Sequence, residues 1–456
     1  DNIILLHFLS HTLMHCKKKL FCAFIDFKQA FDTVWREGLW FKIHKSGITG
    51  KCLTFLKNMY NGIKSKVKLN DETSPFFFCN LGVRQGENLS PFLFSMYIND
   101  IENFMNERNV NGLSSITNDL EEELLVYSKL FILFYADDTV ILTESAQDLQ
   151  HALDEFCIYC KYWKLTVNVK KTKVMIFSKG PAPKCSFMYN NDKLEVVKEY
   201  NYLGILFSRS GSFCKAKKHL CTQSQKAMYG IIRKIRYFDM SFDIQLDLFD
   251  KVVLPVLLYS CEIWGYENID VIERVHLRFL KHILNLKSST PSFMVYGETG
   301  RFPLYITIYT RMIGFWAKMM LCQENKLCKT MYMYLYNCYI RGEINNKWLV
   351  CIKNILDSCG LSFVWHQQNP VSVKWLENIV KQNLKDQFVQ KWNSELDSSS
   401  KGAIYRIFKC NFCCEDYLLI LSRKLRNLFV KYRTTNHHLP IEIGRWNNTP
   451  REDRKC

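Results

Sequence analysis

Three aspartates, Asp26, Asp137 and Asp138, stand at the ends of strand-like apolar runs, a placement suited to gripping divalent cations and so to phosphoryl transfer. In residues 20–32, LFCAFIDFKQAFD, a buried-strand pattern stops at Asp26 and a helical pattern follows through Ala30, Phe31, Val34 and Trp35. An aspartate there can hold a metal over a cleft, or it can simply cap the helix. In residues 130–142, LFILFYADDTVIL, two apolar strands meet at a tight turn, Ala136-Asp137-Asp138. Adjacent carboxylates repel, so outside a metal site such a pair is ordinary turn chemistry. If the two strands lie side by side in one sheet, their ends set Asp26 and Asp137 around two metals about 3.5–4 Å apart.

Three further segments could serve that chemistry. LGVRQGENLSPFLFSMYINDI, residues 81–101, reads as a loop with Gly82 and Gly86, then Ser90 as N-cap, Pro91 in the first turn and an amphipathic helix. Its glycines let backbone approach a ligand, and Arg84 and Gln85 add a charged and an amide donor, unless this is only a loop before a core helix. KLTVNVKKTKVMIFSKG, residues 164–180, is a strand preceded by lysines that include Lys171, with Lys173 at its start. YNYLGILFS, residues 200–208, reads as a short strand pair around Gly204, with Tyr202 and Leu203 leading into the turn. Taken singly, a lysine cluster is more often a solvated face than a site.

The elements that must position these residues divide the chain. Residues 1 to about 208 mix short β-rich runs with helices, whereas about 214 to 430 read as helix after helix. The fold class expected is α+β, with boundaries in the Ser208-Arg209-Ser210-Gly211-Ser212 stretch and in the Ser288-Ser289-Thr290-Pro291 loop. The 456 residues suffice for two to four domains, and 48% hydrophobic with 23% charged residues excludes disorder and fibrous repeats. Lys and Arg number 61 against 44 Asp and Glu, and the net charge of +17 favours a polyanionic partner. No apolar run reaches the ~18 residues of a membrane span, so nucleic acid is preferred over a membrane. The 19 cysteines are scattered irregularly, as in a reduced core. His7, His11 and His15 would stack on one helix face, and Cys157 with Cys160, and Cys410 with Cys413 and Cys414, imitate half of a zinc site. No second half is evident, although His437 and His438 are distant candidates for the latter group, so these are read as a helix edge and as core cysteines.

In their order, FIDFKQAFD, RQGENLSP, YADD, NVKKTK and YLG resemble the A, B, C, D and E motifs of reverse transcriptases of non-LTR (LINE-type) retrotransposons. VVLPVLLYSCEIWG, IERVHLRFLKHIL and FMVYGETGRFPL resemble the family's thumb and following linker. The ordered set is far more specific than any one motif. The resemblance implies a right-hand polymerase: a palm with residual fingers over 1–208, a helical thumb over 209–290 and a helical linker region over 291–456.

It further implies an RNA-directed DNA polymerase that takes an RNA template, a DNA primer and deoxynucleoside triphosphates in a nuclear setting. Mg²⁺ would sit on Asp26, Asp137 and Asp138 with the Phe27 carbonyl, activating the primer 3′-hydroxyl and neutralising the leaving pyrophosphate. Phe31 would exclude a 2′-hydroxyl, although its spacing alone fits a core aromatic. Arg84, Gln85 and Gly86 would meet the incoming nucleotide, and Lys171 or Lys173 would protonate pyrophosphate. Tyr202, Leu203 and Gly204 would form the primer grip, and Lys215, Lys217, Lys218, Arg233, Lys234 and Arg236 would charge the thumb. Relatives carry a fuller fingers region, and often an endonuclease, before the residue equivalent to Asp26; here 25 residues precede it. LPIEIGRWNNTPREDRKC resembles the lead-in to a Cys/His cluster whose first ligand would be Cys456. The alternatives are a catalytically silent nucleic-acid-binding remnant and another right-hand polymerase, of maturase or telomerase type.

Overall fold

The computed structural model describes residues 1–113, 132–135, 138–181, 183–323, 326–399, 402–450 and 453–454. Two compact units emerge: Asp1–Ser212 with Thr330–Ile344, and Phe213–Lys329 with Asn345–Cys456. The chain's return to the first unit at Thr330–Ile344 has no counterpart in the sequence reading, which placed 291–456 in one linker region. Among the described residues no helix is long and apolar enough to cross a membrane.

The first unit is α+β. Its strands include β1 (Leu20–Ile25), the hairpin strands β2 (Lys64–Ser65), β3 (Lys68–Leu69), β4 (Glu72–Thr73) and β5 (Phe77–Phe78), then β6 (Ile132–Tyr135) and β7 (Asp138–Thr143). β8 (Lys173–Phe177), β9 (Phe187–Tyr189), β10 (Asp192–Val197), β11 (Glu199–Tyr202) and β12 (Ile205–Ser208) follow. The helices include α1 (Asn2–His15), α2 (Arg36–Lys45), α3 (Gly50–Tyr60), α4 (Leu89–Ile98), α5 (Ile101–Glu107) and α6 (Ala146–Tyr162).

The main sheet runs β6-β7-β1-β8-β10-β9, antiparallel except for the β8–β10 pair. All six residues of central β1 are buried, which is why LFCAFI lacks the polar alternation of a half-exposed strand. Phe21, Ala23 and Ile25 pack with Ile141, Val174 and Ile176 under α2, α4 and α6, through Leu39, Leu93, Phe94, Leu149 and Phe156. Cys22 and Phe24 point to the other face, where Phe24 stacks on Tyr200 of the β11–β12 hairpin at 4.2 Å.

The helix expected after Asp26 does not form. Residues 28–33 are turns, Gln29 has φ +53°, and the first helix past β1 begins at Arg36. The backbone there is drawn outward: Lys28 N donates to Thr166 O, Val83 N to Phe31 O and Gly82 N to Val34 O, at 2.7, 2.7 and 2.9 Å. Bonds to distant segments have replaced an α-helical ladder.

Buried His7 of α1 makes the unit acid-sensitive. Burial first, then the charge of His11, lowers its pKa from 6.5 to about 3. Below pH 6.5 the unfolded chain binds a proton that the native chain refuses, so stability falls as pH drops from 6.5 toward 3. The loss between pH 7 and 5 is about 2 kcal/mol. Urea unfolding at those two pH values measures it, and His7→Leu should remove that part of the pH dependence.

The second unit is helical. It contains α7 (Cys214–Phe238), α8 (Asp270–Ile283), α9 (Ser292–Thr299), α10 (Leu304–Met320) and α11 (Val373–Ser398). Within FMVYGETG, Gly297 lies where any Cβ would strike Tyr405 Oη at 2.7 Å and Trp392 at 3.0 Å. Glu298, fully buried, accepts both oxygens' bonds from Arg433 Nε at 3.0 and 3.1 Å, so this stretch is fixed by packing and a compensated buried charge.

Candidate active site

β1 and β7 do lie side by side. Their register runs to Ile25 opposite Thr139, and Asp26 and Asp138 adjoin that last pair on the two strands. By strand alternation both carboxylates belong to the face of Phe24 and Val140, the face on which Tyr200 stacks. The Tyr200 phenol registers both: burial raises its pKa to about 12, with the charges of Asp138 and then Asp26 adding to the rise. Burial and Asp138 likewise raise the Tyr202 phenol. Asp137, with Ala136, lies outside the described residues.

The backbone beneath Asp26 is fixed from the β8 side. Asp26 N donates to Thr172 Oγ1 at 3.2 Å, and Asn168 N donates to Asp26 O at 2.7 Å. In the Phe27–Val167 bridge the flanking residues exchange the bonds, Asn168 with Asp26 and Lys28 with Thr166. The Phe27 carbonyl therefore faces the other edge, where β7 lies. Lys171 Nζ sits 3.9 Å from Asp26 Oδ2, whereas Lys173 Nζ is held by Glu195 at 2.7 Å and by the Lys170 carbonyl. Two carboxylates and a backbone carbonyl edge form a hard oxygen set that fits Mg²⁺. Among the described residues no group of three or more His, Cys, Asp or Glu side chains is gathered to hold a metal ion. Cys157 and Cys160 lie in the hydrophobic core, and Cys456 falls outside the described residues.

Phe31 is half-buried, its ring 5.2 Å from that of Phe94, and its carbonyl is bonded to Val83, which ties it to the 82–86 loop. Gly82 is required there: φ is +79°, and a Cβ would lie 2.5 Å from the Asp32 carbonyl oxygen. Arg84, Gln85 and Gly86 are exposed. Arg84 is occupied by Glu87 at 2.8 Å and the Met59 carbonyl at 3.2 Å, while Gln85 lines a cleft of about 690 Å³ with Asp32, Arg36 and Phe78. Ser90 is not the N-cap. α4 begins at Leu89 after Asn88, and the buried Ser90 hydroxyl turns back to donate to the Arg84 carbonyl, pinning the loop to the helix.

β11 and β12 form a two-residue hairpin whose turn, Leu203-Gly204, has φ +48° and +80°. Both residues are left-handed, as a type I′ turn needs, yet leucine is a poor choice for the first.

Sequence reasoning missed three contributors. Tyr200 was detectable, since Tyr-x-Tyr before a turn puts both rings on one strand face. Thr172 and Arg36 were not, because their targets are backbone. Arg36 donates to the carbonyls of Tyr60, Leu81 and Gly82 at 2.9, 3.0 and 2.8 Å, clamping both roots of the β2–β5 hairpin. In the second unit, α7 exposes Lys215, Lys218, Arg233, Lys234 and Arg236, but Lys217 is buried, paired with Glu267 at 2.9 Å and donating to the Asn268 carbonyl. Only five of the six expected thumb cations face outward, because Lys217 lies on the apolar stripe of Ala216, Leu220, Ser224 and Met228.

With this geometry in hand, the comparisons say what the chain is similar to. Residues 3–207 match the family described as reverse transcriptase (RNA-dependent DNA polymerase). This stretch is a reverse transcriptase domain. The RNA-directed DNA polymerase from mobile element jockey of Drosophila funebris is 28% identical over 270 residues, covering 57% of this chain and 27% of that protein. The probable RNA-directed DNA polymerase from transposon BS of Drosophila melanogaster is 26% identical over 281 residues, covering 59% and 30%. The chain thus spans under a third of the length of these curated relatives. The resemblance of the chain to non-LTR retrotransposon reverse transcriptases stands with these matches. A solved telomerase from Candida tropicalis, in complex with a fragment of telomeric RNA, overlaps at a TM-score of 0.35 and 14% identity, covering 83% of this chain and 53% of that one.

Proposed function

We propose that this chain is the polymerase core of an RNA-directed DNA polymerase, adding deoxynucleotides to a primer 3′-hydroxyl on an RNA template during retrotransposition in the nucleus. The observation that carries the reading is that Asp26 and Asp138 adjoin the last residue pair of β1 and β7 and both act on the Tyr200 phenol, within a stretch that matches the reverse transcriptase family. Asp26, Asp137 and Asp138, with the Phe27 carbonyl, would hold Mg²⁺, whose positive charge would favour an ionised 3′-hydroxyl and a pyrophosphate leaving group.

The chain's own residues do the rest. Thr172 and Asn168 hold the Asp26 backbone, so the carboxylate is oriented before any ligand arrives. Gln85 and Gly86 meet the nucleotide from the cleft side, and Phe31 fills the space next to its sugar. Arg84 acts by holding the loop to Glu87 and Met59. The left-handed Leu203 stores about 1 kcal/mol of backbone strain, and strain of this kind gathers where a turn must present itself to a ligand, here the primer end beside Tyr202 and Gly204. Residues 1–208 then act as palm with residual fingers, 209–290 as thumb and 291–456 as linker. The exposed α7 cations grip phosphates without reading sequence, as copying requires.

Of the two candidate proton donors, Lys171 is the one beside Asp26. Lys171→Gln should slow single-nucleotide incorporation about 100-fold, the scale of lost general-acid catalysis, and Lys173→Gln should leave it nearly unchanged. Rapid-quench incorporation on a primed RNA template measures both. Equal rates for the two variants would remove Lys171 from the role, and RNA retained without any incorporation by the unaltered chain would favour the silent remnant.

A further inference from the structure

Residues 63–79 of the first unit form a projecting hairpin whose chemistry the polymerase reading leaves unused. Its ladder is interrupted. β2 pairs with β5 and β3 with β4, and between them Val67 and Ser74 exchange bonds, Ser74 N to Val67 O and Val67 N to Ser74 Oγ, ahead of Pro75, which has no N–H to give. Three consecutive aromatics, Phe76, Phe77 and Phe78, are 66%, 48% and 62% exposed, although each is of the type a fold normally buries. Three lysines alternate on the opposing strand, Lys64, Lys66 and Lys68, all exposed.

The pairing joins the two sets on one face. Lys64 is directly opposite Phe78, with its ammonium 5.1 Å from that ring's centre, and Lys66 lies 5.4 Å from the centre of Phe76. Lys68, two residues further along and opposite Thr73, continues the row. The face thus offers two flat rings, each with an ammonium over one side and the other side open to a stacking partner, and a third cation in line. Alternate strand residues repeat every ~6.7 Å, so the charges form a track rather than a point. Rings stack on bases of any sequence while ammonium groups take the phosphates, which is how unpaired nucleic acid is held.

We infer that this hairpin is a stacking platform for an unpaired nucleic-acid strand. The charge pattern selects that occupant. A second copy of the chain would bring lysines against lysines, and edge lysines are a common device against such pairing. A duplex hides its base faces from the rings. The platform is continuous with the cleft that holds Gln85, because Phe78 belongs to both, and Arg36 fixes its roots. A single strand lying on it leads into that cleft. Asp71 and Glu72, at the hairpin tip, bound the track by repelling phosphate beyond Lys68.

The inference rests on the polymerase reading for the presence of such a strand. Its test is therefore binding alone, without Mg²⁺ or nucleotides, so that the two readings fail separately. Anisotropy titration of the whole chain with labelled oligo(U), and with the same strand annealed to oligo(A), reads the two affinities. The doubly substituted Phe76→Ala/Phe78→Ala chain should bind oligo(U) about tenfold more weakly for each ring lost, with duplex binding unchanged. Phe76→Leu/Phe78→Leu, which keeps apolar bulk but removes the π faces, should weaken oligo(U) as well. Lys64→Gln/Lys66→Gln/Lys68→Gln should lower the slope of log affinity against log salt by about 2. Undiminished oligo(U) binding in the phenylalanine variants would overturn the proposal. So would a dimer of the unaltered chain that these variants convert to monomer in light scattering, because a second copy would then be the occupant.

Discussion

Asp26→Asn is expected to lower primer extension at least about 10³-fold, a loss of roughly 4 kcal/mol of transition-state stabilisation, while nucleic-acid binding is preserved. The substitution is nearly isosteric, and the groups holding residue 26 are backbone bonds to Thr172 and Asn168, which an asparagine retains. What changes is one negative charge at the end of β1. Losing it also relieves the Tyr200 phenol, so a downward shift in the Tyr200 titration reports the charge change independently of activity. Extension by the variant at more than a few per cent of the unaltered rate, with that shift observed, would take Asp26 out of the metal set.

Phe31→Ala carries the second large effect. The ring rests against Phe94, and the Phe31 carbonyl is bonded to Val83, so the side chain is held at a fixed distance from the 82–86 loop that meets the nucleotide. Removing it opens the space a 2′-hydroxyl would need. Preference for deoxynucleotides over ribonucleotides, measured as a ratio of kcat/KM, should fall on the order of 100-fold. Because Phe31 is only half-buried, the stability cost is about 2 kcal/mol, below that of a fully buried phenylalanine. Phe31→Leu, which keeps packing on Phe94, should retain most of the selectivity. Unchanged sugar preference in the alanine variant would leave Phe31 as a core aromatic and nothing more.

The parts of the site that were legible from sequence are those dictated by periodicity. An unbroken apolar run marks β1 as a strand covered on both faces, and the acid that ends it marks where the strand reaches water. The hairpin of β11 and β12 was equally plain, because a two-residue turn with glycine leaves little choice. Register was not legible. Nothing local says that Asp26 and Asp138 adjoin the same residue pair, because that depends on which residues of β7 find partners in β1. The helix expected through Ala30, Phe31, Val34 and Trp35 failed for the same reason. Its apolar spacing is real, but backbone bonds to residues 82–83 and 166 outcompete the helical ladder. Lys217 shows the limit of counting charges: a lysine at the start of a basic helix was read as surface, and its position on the apolar stripe buries it against Glu267. Arg36, which fixes the hairpin and the glycine loop together, bonds only to carbonyls and leaves no trace in residue types.

The most direct test of the polymerase reading is to sequence the product made by the unaltered chain from a primer annealed to a heteropolymeric RNA, with Mg²⁺ and the four deoxynucleoside triphosphates. The account predicts DNA complementary to the RNA, dependent on Mg²⁺. RNA that is bound but yields no templated product would contradict it, and the fold would then be that of a binding remnant.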